Sequence, residues 1–229
     1  MLKVNRLCKS FDIHHLNKHI DGIQNISFNV EKGKFLGIVG KSGSGKSTIL
    51  KCIYRTYTPT SGSILFQSET LGAVDLATCD ERTMIHIRKH DIGYVSQFLQ
   101  VMPRTSVLDI VINAQLEMGV DYDSAKSKAV ATLQHFGIDE TLFDNYPNTM
   151  SGGEKLRLNI ARAVVKEPVL LLLDEPTASL DSASKIKVRE AIERLKNNGT
   201  TLIGIFHDLE FMEGLCDDVI DMNVLKGEI

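Results

Sequence analysis

Residues 40–48 restrict the fold of this 229-residue chain more than any other segment. They read GKSGSGKST, follow an apolar run at 34–39 that is typical of a strand, and lead into a predicted helix at 46–57. Glycines at this spacing let backbone N–H groups point inward, and the helix start adds the positive end of its dipole. The segment therefore predicts a phosphate-binding loop in an α/β domain.

Each part of this loop has a predicted role in holding a magnesium nucleotide. Lys46 can reach the β- and γ-phosphates, and the hydroxyl of Ser47 can ligate Mg²⁺. The residues expected to contact the nucleotide are Gly40, Lys41, Ser42, Gly43, Ser44, Gly45, Lys46, Ser47 and Thr48.

Two carboxylates, Asp174 and Glu175, follow the apolar run 169–173, which fits a strand buried on both faces of a parallel sheet. Ligands of such sheets bind at the carboxyl ends of the strands. Asp174 is expected to face the metal, and Glu175 to orient and polarise an attacking water. An ordinary charged strand end is the alternative, but the phosphate loop favours catalysis, because nucleoside-triphosphate chemistry needs both parts.

The rest of the chain alternates strands and helices, which indicates an α/β fold. Residues 105–166 are mostly helical and are expected to form an inserted subdomain, whereas 67–91 are expected to be a polar, solvated insertion. Helices are predicted at 124–136, 153–166 and 182–197, and further strands at 26–30, 63–66 and 201–206.

Composition limits the classes of function. Hydrophobic residues make up 43% of the chain, enough for a buried core, and the net charge of −3 gives no nucleic-acid footprint. No apolar run approaches the roughly 20 residues of a spanning helix, and four scattered cysteines are typical of unpaired thiols, so a cytoplasmic location is expected. Two histidine groups, at 14–19 and at 86–90, are expected to be surface residues rather than metal sites.

The segment 150–154, MSGGE, opens the predicted helix at 153–166. With the two sites above, it resembles the ATP-binding cassette (ABC) ATPase family, whose signature is usually Leu-Ser-Gly-Gly-Gln. The resemblance covers essentially the whole chain. It implies a P-loop NTPase of the ABC type with an antiparallel β subdomain and an inserted helical subdomain. Residues 1–229 would form a single domain, with 1–104 and 167–229 as core plus β subdomain and 105–166 as the helical part.

The same resemblance implies ATP and Mg²⁺ as cofactors and roles for further residues. Phe11 would stack on adenine, Gln97 would touch Mg²⁺ or the water, and His207 would contact the γ-phosphate and hold Glu175 in place. The signature would close on the γ-phosphate held by a second subunit, in a head-to-tail homodimer or a heterodimer with a second ABC subunit, with Asp181 lining the seam. The signature residues concerned are Ser151, Gly152, Gly153 and Glu154.

The implied catalytic residues are Glu175, His207 and Gln97, and the implied metal-facing residues are Ser47, Gln97 and Asp174. This chain has Met150 for leucine and Glu154 for glutamine in the signature, and Phe11 lacks a hydroxyl. None of these departures removes a catalytic group, so an active ATPase is expected.

The run 96–104, SQFLQVMPR, is similar to the L-type ATP-binding subfamily of the bacterial carbon–phosphorus lyase system, and so are the shorter segments 53–54 and 204–208. That resemblance implies a soluble accessory of phosphonate degradation, implicated with the carbon–phosphorus lyase core subunits in forming a ribose-phosphonate triphosphate. The alternative is a nucleotide-binding subunit of a membrane ABC transporter, of the lipoprotein-release or export type. Such a subunit would dock a permease helix beside Gln97, and it would be associated with a membrane only through that permease. Under neither hypothesis is the chain expected to bind nucleic acid.

Overall fold

The computed structural model of the chain describes residues 1–13, 18–97, 99–177, 180–206 and 208–225. Its strands are β1 (Leu2–Ile13), β2 (Lys18–Val30), β3 (Phe35–Val39), β4 (Ser61–Ser68), β5 (Gly72–Asp75), β6 (Ile92–Val95), β7 (Leu170–Asp174), β8 (Thr201–Ile205) and β9 (Asp218–Asp221). Its α-helices are α1 (Lys46–Ile53), α2 (Glu81–His90), α3 (Val107–Leu116), α4 (Tyr122–His135), α5 (Gly152–Val164), α6 (Ser182–Asn197), α7 (Leu209–Met212) and α8 (Met222–Leu225).

Five strands form a parallel sheet in the order β6-β7-β8-β3-β9. Every residue of β3, β7 and β8 is buried, which explains why these strands are almost uninterrupted apolar runs. β3 and β7 are both parallel to β8, which lies between them, so the segments that follow those two strands emerge at the same edge of the sheet. The sheet thereby brings the glycine loop and the acid pair to one place.

The other four strands form an antiparallel sheet in the order β2-β1-β4-β5. Long β1 pairs with β2, for example Phe11 opposite Ile20, through several register shifts. The expected combination of an antiparallel sheet with a parallel α/β core is therefore present.

The core has two hydrophobic clusters on opposite faces of the parallel sheet. Leu171 and Leu173 point into a cluster with helices α3 to α6, whereas Leu170 and Leu172 point into a cluster with α1 and the antiparallel sheet. The two faces of β7 are thus covered by different layers, as a parallel sheet requires.

The structure corrects two sequence expectations about residues 46–91. Helix α1 ends at Ile53 rather than 57, because Arg55 adopts a left-handed backbone (φ 60°) and its guanidinium donates to the carbonyl oxygen of Leu76 at 2.7 Å. The segment 67–91 is not simply a solvated insertion. It supplies β5 and α2, and Met84 and Ile87 of α2 are fully buried.

The described residues contain no group of three or more histidine, cysteine, aspartate or glutamate side chains placed to hold a metal. His19 pairs with Asp12 and Asp21, while His86 and His90 stack on one face of α2 with ring centroids 4.5 Å apart. His14 and His15 lie outside the described residues. Over the same described ranges, no helix has the length and apolar character needed to cross a bilayer.

Candidate functional site

The glycine loop between β3 and α1 has a backbone that other residues adopt at a cost. Gly40, Gly43 and Gly45 have φ angles of 144°, 78° and 96°. A Cβ on Gly45 would lie 2.5 Å from the carbonyl oxygen of Gly22 and from Cγ2 of Ile23, both on β2. Glycine at 45 is therefore required twice, by its backbone conformation and by close packing of the loop against β2.

Lys46 is buried at the start of α1, and its ammonium lies inside the loop that precedes it. Its Nζ donates to the carbonyl oxygens of Gly40 at 2.8 Å and Lys41 at 3.0 Å. Burial lowers the pKa of Lys46, and the charges of Glu175 and Asp174 oppose that shift. A cation held here is placed to neutralise the phosphates of a nucleotide.

Ser44 supplies a second sign that the loop fits an oxyanion. Its hydroxyl is buried and has no hydrogen-bond partner among the described residues. Buried polar groups normally have partners, so an orphaned hydroxyl inside a loop of this kind needs an explanation. A phosphate oxygen would satisfy it. Of the remaining loop residues, Ser42 is exposed and Thr48 lies in the first turn of α1.

The acid pair lies across β8 from the loop. Asp174 is buried at the end of β7, and Ser47 Oγ donates to its Oδ1 at 2.9 Å. A hydroxyl and a carboxylate are oxygen ligands of the kind that Mg²⁺ prefers. The structure therefore brings together two of the three residues that were predicted to face the metal.

Glu175 follows Asp174 with a left-handed backbone, φ 52°. This conformation costs a non-glycine residue about 1–2 kcal/mol. Strained residues of this kind cluster at functional sites. The role of Glu175 in orienting and polarising the water stays a prediction.

Tyr94, on β6, is a site residue that the sequence analysis missed. Its hydroxyl donates to Oδ2 of Asp174 at 2.6 Å, and its ring lies 4.9 Å from that of Tyr54. Burial and the bond to Asp174 raise the pKa of Tyr94, so the hydroxyl keeps its proton and acts as a donor. Its only sequence signal is its position three residues before Gln97.

The predicted signature forms the start of α5. Ser151 and Glu154 make a reciprocal capping box, in which the Ser151 N–H donates to Glu154 Oε2 at 2.8 Å and the Ser151 hydroxyl accepts from the Glu154 N–H at 3.3 Å. Hydrogen bonds from Ser151 hold the pKa of Glu154 below its ordinary value. The glutamate that replaces glutamine in the signature is thus a charged cap.

The starts of α5 and α6 lie against each other. A Cβ on Gly153 would lie 2.6 Å from Oγ of Ser184, so glycine is required there for packing. Asp181 caps α6 by accepting from the Ser184 N–H at 2.7 Å. The structure therefore places Asp181 and the signature, both predicted to face a second subunit, on neighbouring helix starts.

Phe11 lies on β1, close to the loop. Its ring meets Tyr57 edge-on at 5.1 Å, and Lys9 Nζ lies 4.9 Å from its centroid. A Cβ on Gly22 would be 2.8 Å from Cε2 of Phe11, and Gly22 also touches Gly45. One glycine thus separates the aromatic ring from the phosphate loop.

Two predicted site residues remain, Gln97 and His207. Gln97 is exposed just after β6, and the carbonyl oxygen of its neighbour Ser96 accepts from Asn159 of α5 at 3.0 Å. His207, predicted to contact the γ-phosphate, lies outside the described residues, as do Ala178 and Ser179 before Asp181. The roles assigned to these residues stay predictions.

A glycine loop with an internal lysine, opposite a hydroxyl–carboxylate pair at the carboxyl edge of a parallel sheet, is the arrangement of a P-loop nucleoside-triphosphate-binding domain. The chain belongs to the ABC transporter family, whose sequence model matches residues 23–178. The P-loop fold of the ABC type expected from the sequence is confirmed.

Relatives and solved structures agree with this family. The chain is 32% identical over 223 residues to the methionine import ATP-binding protein MetN of Haemophilus influenzae (strain 86-028NP), covering 96% of this chain and 61% of MetN. It is 34% identical over 191 residues to the lipoprotein-releasing system ATP-binding protein LolD of Aquifex aeolicus (strain VF5), covering 83% of each. The chain therefore spans about three fifths of the length of that MetN.

The structure is similar to the dimeric ATP-binding cassette MJ0796 in a post-hydrolysis state bound to ADP and Pi. The TM-score is 0.87 at 27% sequence identity, over 96% of this chain and 94% of that chain. A second structure of the same cassette, described as the dimeric structure of a bacterial ABC transporter cassette, matches equally well.

Proposed function

We propose that this chain is the Mg²⁺-dependent ATP-binding and ATP-hydrolysing subunit of a membrane ABC transporter. The observation that carries the proposal is the sheet edge where Lys46 lies inside the glycine loop and Ser47 binds Asp174. The similarity to MetN and LolD, named for import and lipoprotein release, supports the transporter assignment.

The residues at this edge divide the work of phosphoryl transfer. The loop N–H groups and Lys46 bind the phosphates, and Ser47 and Asp174 would hold Mg²⁺, which neutralises charge on the β- and γ-phosphates when bound. Glu175 orients water for attack on the γ-phosphorus and takes its proton as the new P–O bond forms. The bond from that phosphorus to the bridging oxygen breaks, which gives ADP and phosphate. Gln97 and His207 are proposed to assist by contacting the metal or water and the γ-phosphate.

The second half of each site is proposed to come from another subunit. Ser151 and Gly152 are exposed at the start of α5, where free N–H groups of a helix favour an anion. Two such cassettes facing head to tail would each offer this helix start to the nucleotide of the other. Similarity to a dimeric cassette supports that arrangement, as a homodimer or as a heterodimer with a second ABC subunit.

A groove whose lining begins at Gln100, three residues after Gln97 in the sequence, is the proposed permease-docking surface. It has a volume of about 400 Å³ and is lined by 100–102, by α3 and by the end of α5. Met102 is 77% exposed in it, and Arg162 holds one wall by donating to the carbonyl oxygen of Gln100 at 2.6 Å. An apolar side chain at the mouth of a groove with charged walls suits an amphipathic helix.

The phosphonate-degradation hypothesis depends mainly on the run 96–104, with the segments 53–54 and 204–208, and finds no support in the similarity to MetN or LolD. Of that run, residues 100–102 line the proposed docking groove, so part of the segment that suggested the phosphonate branch would face a partner under either hypothesis. The identity of the partner therefore decides between a permease and the carbon–phosphorus lyase core subunits.

Calorimetry with magnesium and ATP tests the nucleotide assignment. Lys46→Ala removes the cation inside the loop and is expected to weaken ATP binding about tenfold or more, because hydrogen bonds to charged groups contribute about 1.5–3 kcal/mol. Lys126→Ala, on the exposed face of α4, is the charge-matched control. Undiminished affinity in Lys46→Ala, or no binding by the folded parent chain, would contradict the assignment.

Photo-crosslinking tests the partner. A photoreactive residue at Met102 is expected to capture a membrane permease in cells, whereas one at Ile85, which is 59% exposed on α2, is the control. The same crosslinking experiment in cells grown on a phosphonate as sole phosphorus source tests the phosphonate hypothesis. Recovery of carbon–phosphorus lyase subunits without detergent, with no permease, would favour the phosphonate hypothesis instead.

A further inference from the structure

Both oxygens of the buried Asp174 carboxylate accept from hydroxyl groups. Ser47 donates to Oδ1 at 2.9 Å and Tyr94 donates to Oδ2 at 2.6 Å. The two donors differ in origin. Ser47 belongs to the helix that follows the phosphate loop and is itself a candidate metal ligand, whereas Tyr94 comes from β6, the strand next to β7.

The Tyr94 hydroxyl is held in place by contacts that lead away from the nucleotide. The ring of Tyr94 packs 4.9 Å from the ring of Tyr54. The guanidinium of Arg88 lies over the Tyr54 ring, 5.2 Å from its centroid. Arg88 is fixed in turn, because its Nε donates to the carbonyl oxygen of Tyr54 at 2.8 Å and its Nη2 to that of Arg55 at 2.7 Å. A stack of three side chains thus connects α2 with Asp174.

This arrangement restricts rotation of the carboxylate. With Oδ2 bound to Tyr94, Oδ1 stays directed at Ser47. Without that bond, a buried carboxylate oxygen would lose a donor, and the group would be free to turn toward other donors. A metal-facing carboxylate depends on such an outer partner for its orientation, and loss of the partner typically weakens metal binding by about 10–100-fold.

We infer that Tyr94 is a positioning residue that orients Asp174 for Mg²⁺ and so sets the Mg²⁺ requirement of ATP binding. The inference rests on the proposed ATP-binding function and names a residue that acts through Asp174 rather than on the nucleotide. It also assigns a structural role to α2, because Arg88 on that helix holds the ring of Tyr54 against Tyr94.

Two hydroxyl deletions on adjacent rings separate this role from simple packing. Tyr94→Phe keeps the ring and removes the bond to Asp174, whereas Tyr54→Phe removes a hydroxyl from the neighbouring ring and leaves that bond intact. Calorimetric ATP titrations at graded Mg²⁺ concentrations, and again in EDTA, give the Mg²⁺ needed for half-maximal binding and the metal-free affinity. Thermal melting reports folding, and Tyr94→Met is the second hydroxyl deletion if Tyr94→Phe folds poorly.

Tyr94→Phe is expected to raise the Mg²⁺ requirement about tenfold or more while leaving ATP affinity in EDTA unchanged, and Tyr54→Phe is expected to change neither. An unchanged or smaller Mg²⁺ requirement in Tyr94→Phe would overturn the inference, as would equal effects of the two variants. If the parent chain binds ATP with a clear Mg²⁺ dependence, such a result leaves the proposed function standing. If the folded parent chain shows no magnesium-dependent ATP binding, both the proposed function and the inference about Tyr94 are contradicted.

Discussion

Gly45 is the residue through which the phosphate loop rests on the antiparallel sheet. Its missing side chain lets the carbonyl of Gly22 approach, and Gly22 in turn meets Phe11. A single contact line therefore runs from the predicted adenine-stacking ring to the start of α1. Gly43 and Gly45 of this loop both have a left-handed backbone, but only Gly45 is also closely packed, so substitution can separate the effect of conformation from that of packing.

Gly45→Ala is expected to lower the free energy of unfolding by about 3 kcal/mol or more, from a left-handed backbone plus an overpacked contact. Gly43→Ala, with φ 78° and open space around its Cβ, should cost only about 1–2 kcal/mol. Urea unfolding without nucleotide measures both. Equal losses would show that contact with Gly22 does not matter.

At the residue scale, the candidate site residues that the sequence could predict are those in contiguous motifs. Lys46, Ser47 and Asp174 lie together as predicted. Tyr94 could not be found, because its bond to Asp174 depends on β6 lying beside β7, and no spacing rule gives that strand order. The orphaned hydroxyl of Ser44 is likewise a property of packing rather than of sequence.

At the scale of elements, the N-termini of α5 and α6 are both capped and pack against each other. Each begins with a capped first turn, by Ser151 and by Asp181, and Gly153 lets the two helices touch at Ser184. Capping and packing thus fix the direction of both N-termini.

Ser151→Ala is expected to cost about 1 kcal/mol of stability at pH 7 through loss of the cap. The pKa of Glu154 is lowered in the fold, so its contribution is present above its ordinary value of 4.5 and is lost as the pH falls through the folded pKa. Ser151→Ala keeps the backbone bond to Glu154 and loses the bond from the Ser151 hydroxyl to Glu154 Oε2 at 2.9 Å, so only the part of its deficit due to that hydroxyl bond should disappear in acid, as measured by urea unfolding at several pH values.

Asp121→Ala removes the corresponding cap of α4, where Asp121 accepts from the Ser124 N–H at 3.0 Å, and is the control for stability. It should lose a similar amount of stability and retain ATP hydrolysis, whereas Ser151→Ala should lose hydrolysis as well. Full hydrolysis in Ser151→Ala would contradict the proposed role of the signature.

Helices with strong apolar periodicity were predictable, and irregular elements were not. The bounds of α6 match the expected 182–197, and α4 ends one residue before the predicted 136, followed by a left-handed Gly137. β1 was missed because its register shifts interrupt the alternation that marks a strand. α2 was missed because only Met84 and Ile87 face the core of an otherwise polar segment.

For the molecule as a whole, the parallel sheet explains how distant motifs make one site. Segments after β3 and β7 meet across β8, so residues 40–48 and 174–175 need no contact along the chain. The α/β class followed from buried apolar runs alternating with helices. The division into a core, a β subdomain and a helical subdomain at 105–166 stays a prediction.

Glu175→Gln is expected to reduce hydrolysis by at least about 100-fold, because it removes the proposed general base, and to trap ATP between two subunits. Gel filtration with saturating magnesium and ATP should then show a dimer. Glu190→Gln, on the exposed side of α6, should stay active and form no such stable dimer. A monomeric Glu175→Gln chain under these conditions would count against head-to-tail assembly.

The left-handed backbone at Glu175 has a consequence for laboratory evolution. Glycine and asparagine tolerate that conformation better than glutamate, so a screen for heat resistance alone should enrich them at position 175. Those clones would gain thermal stability by losing the carboxylate that is proposed to activate water. Selection schemes that aim at a hardier version of this protein therefore need turnover as a simultaneous criterion.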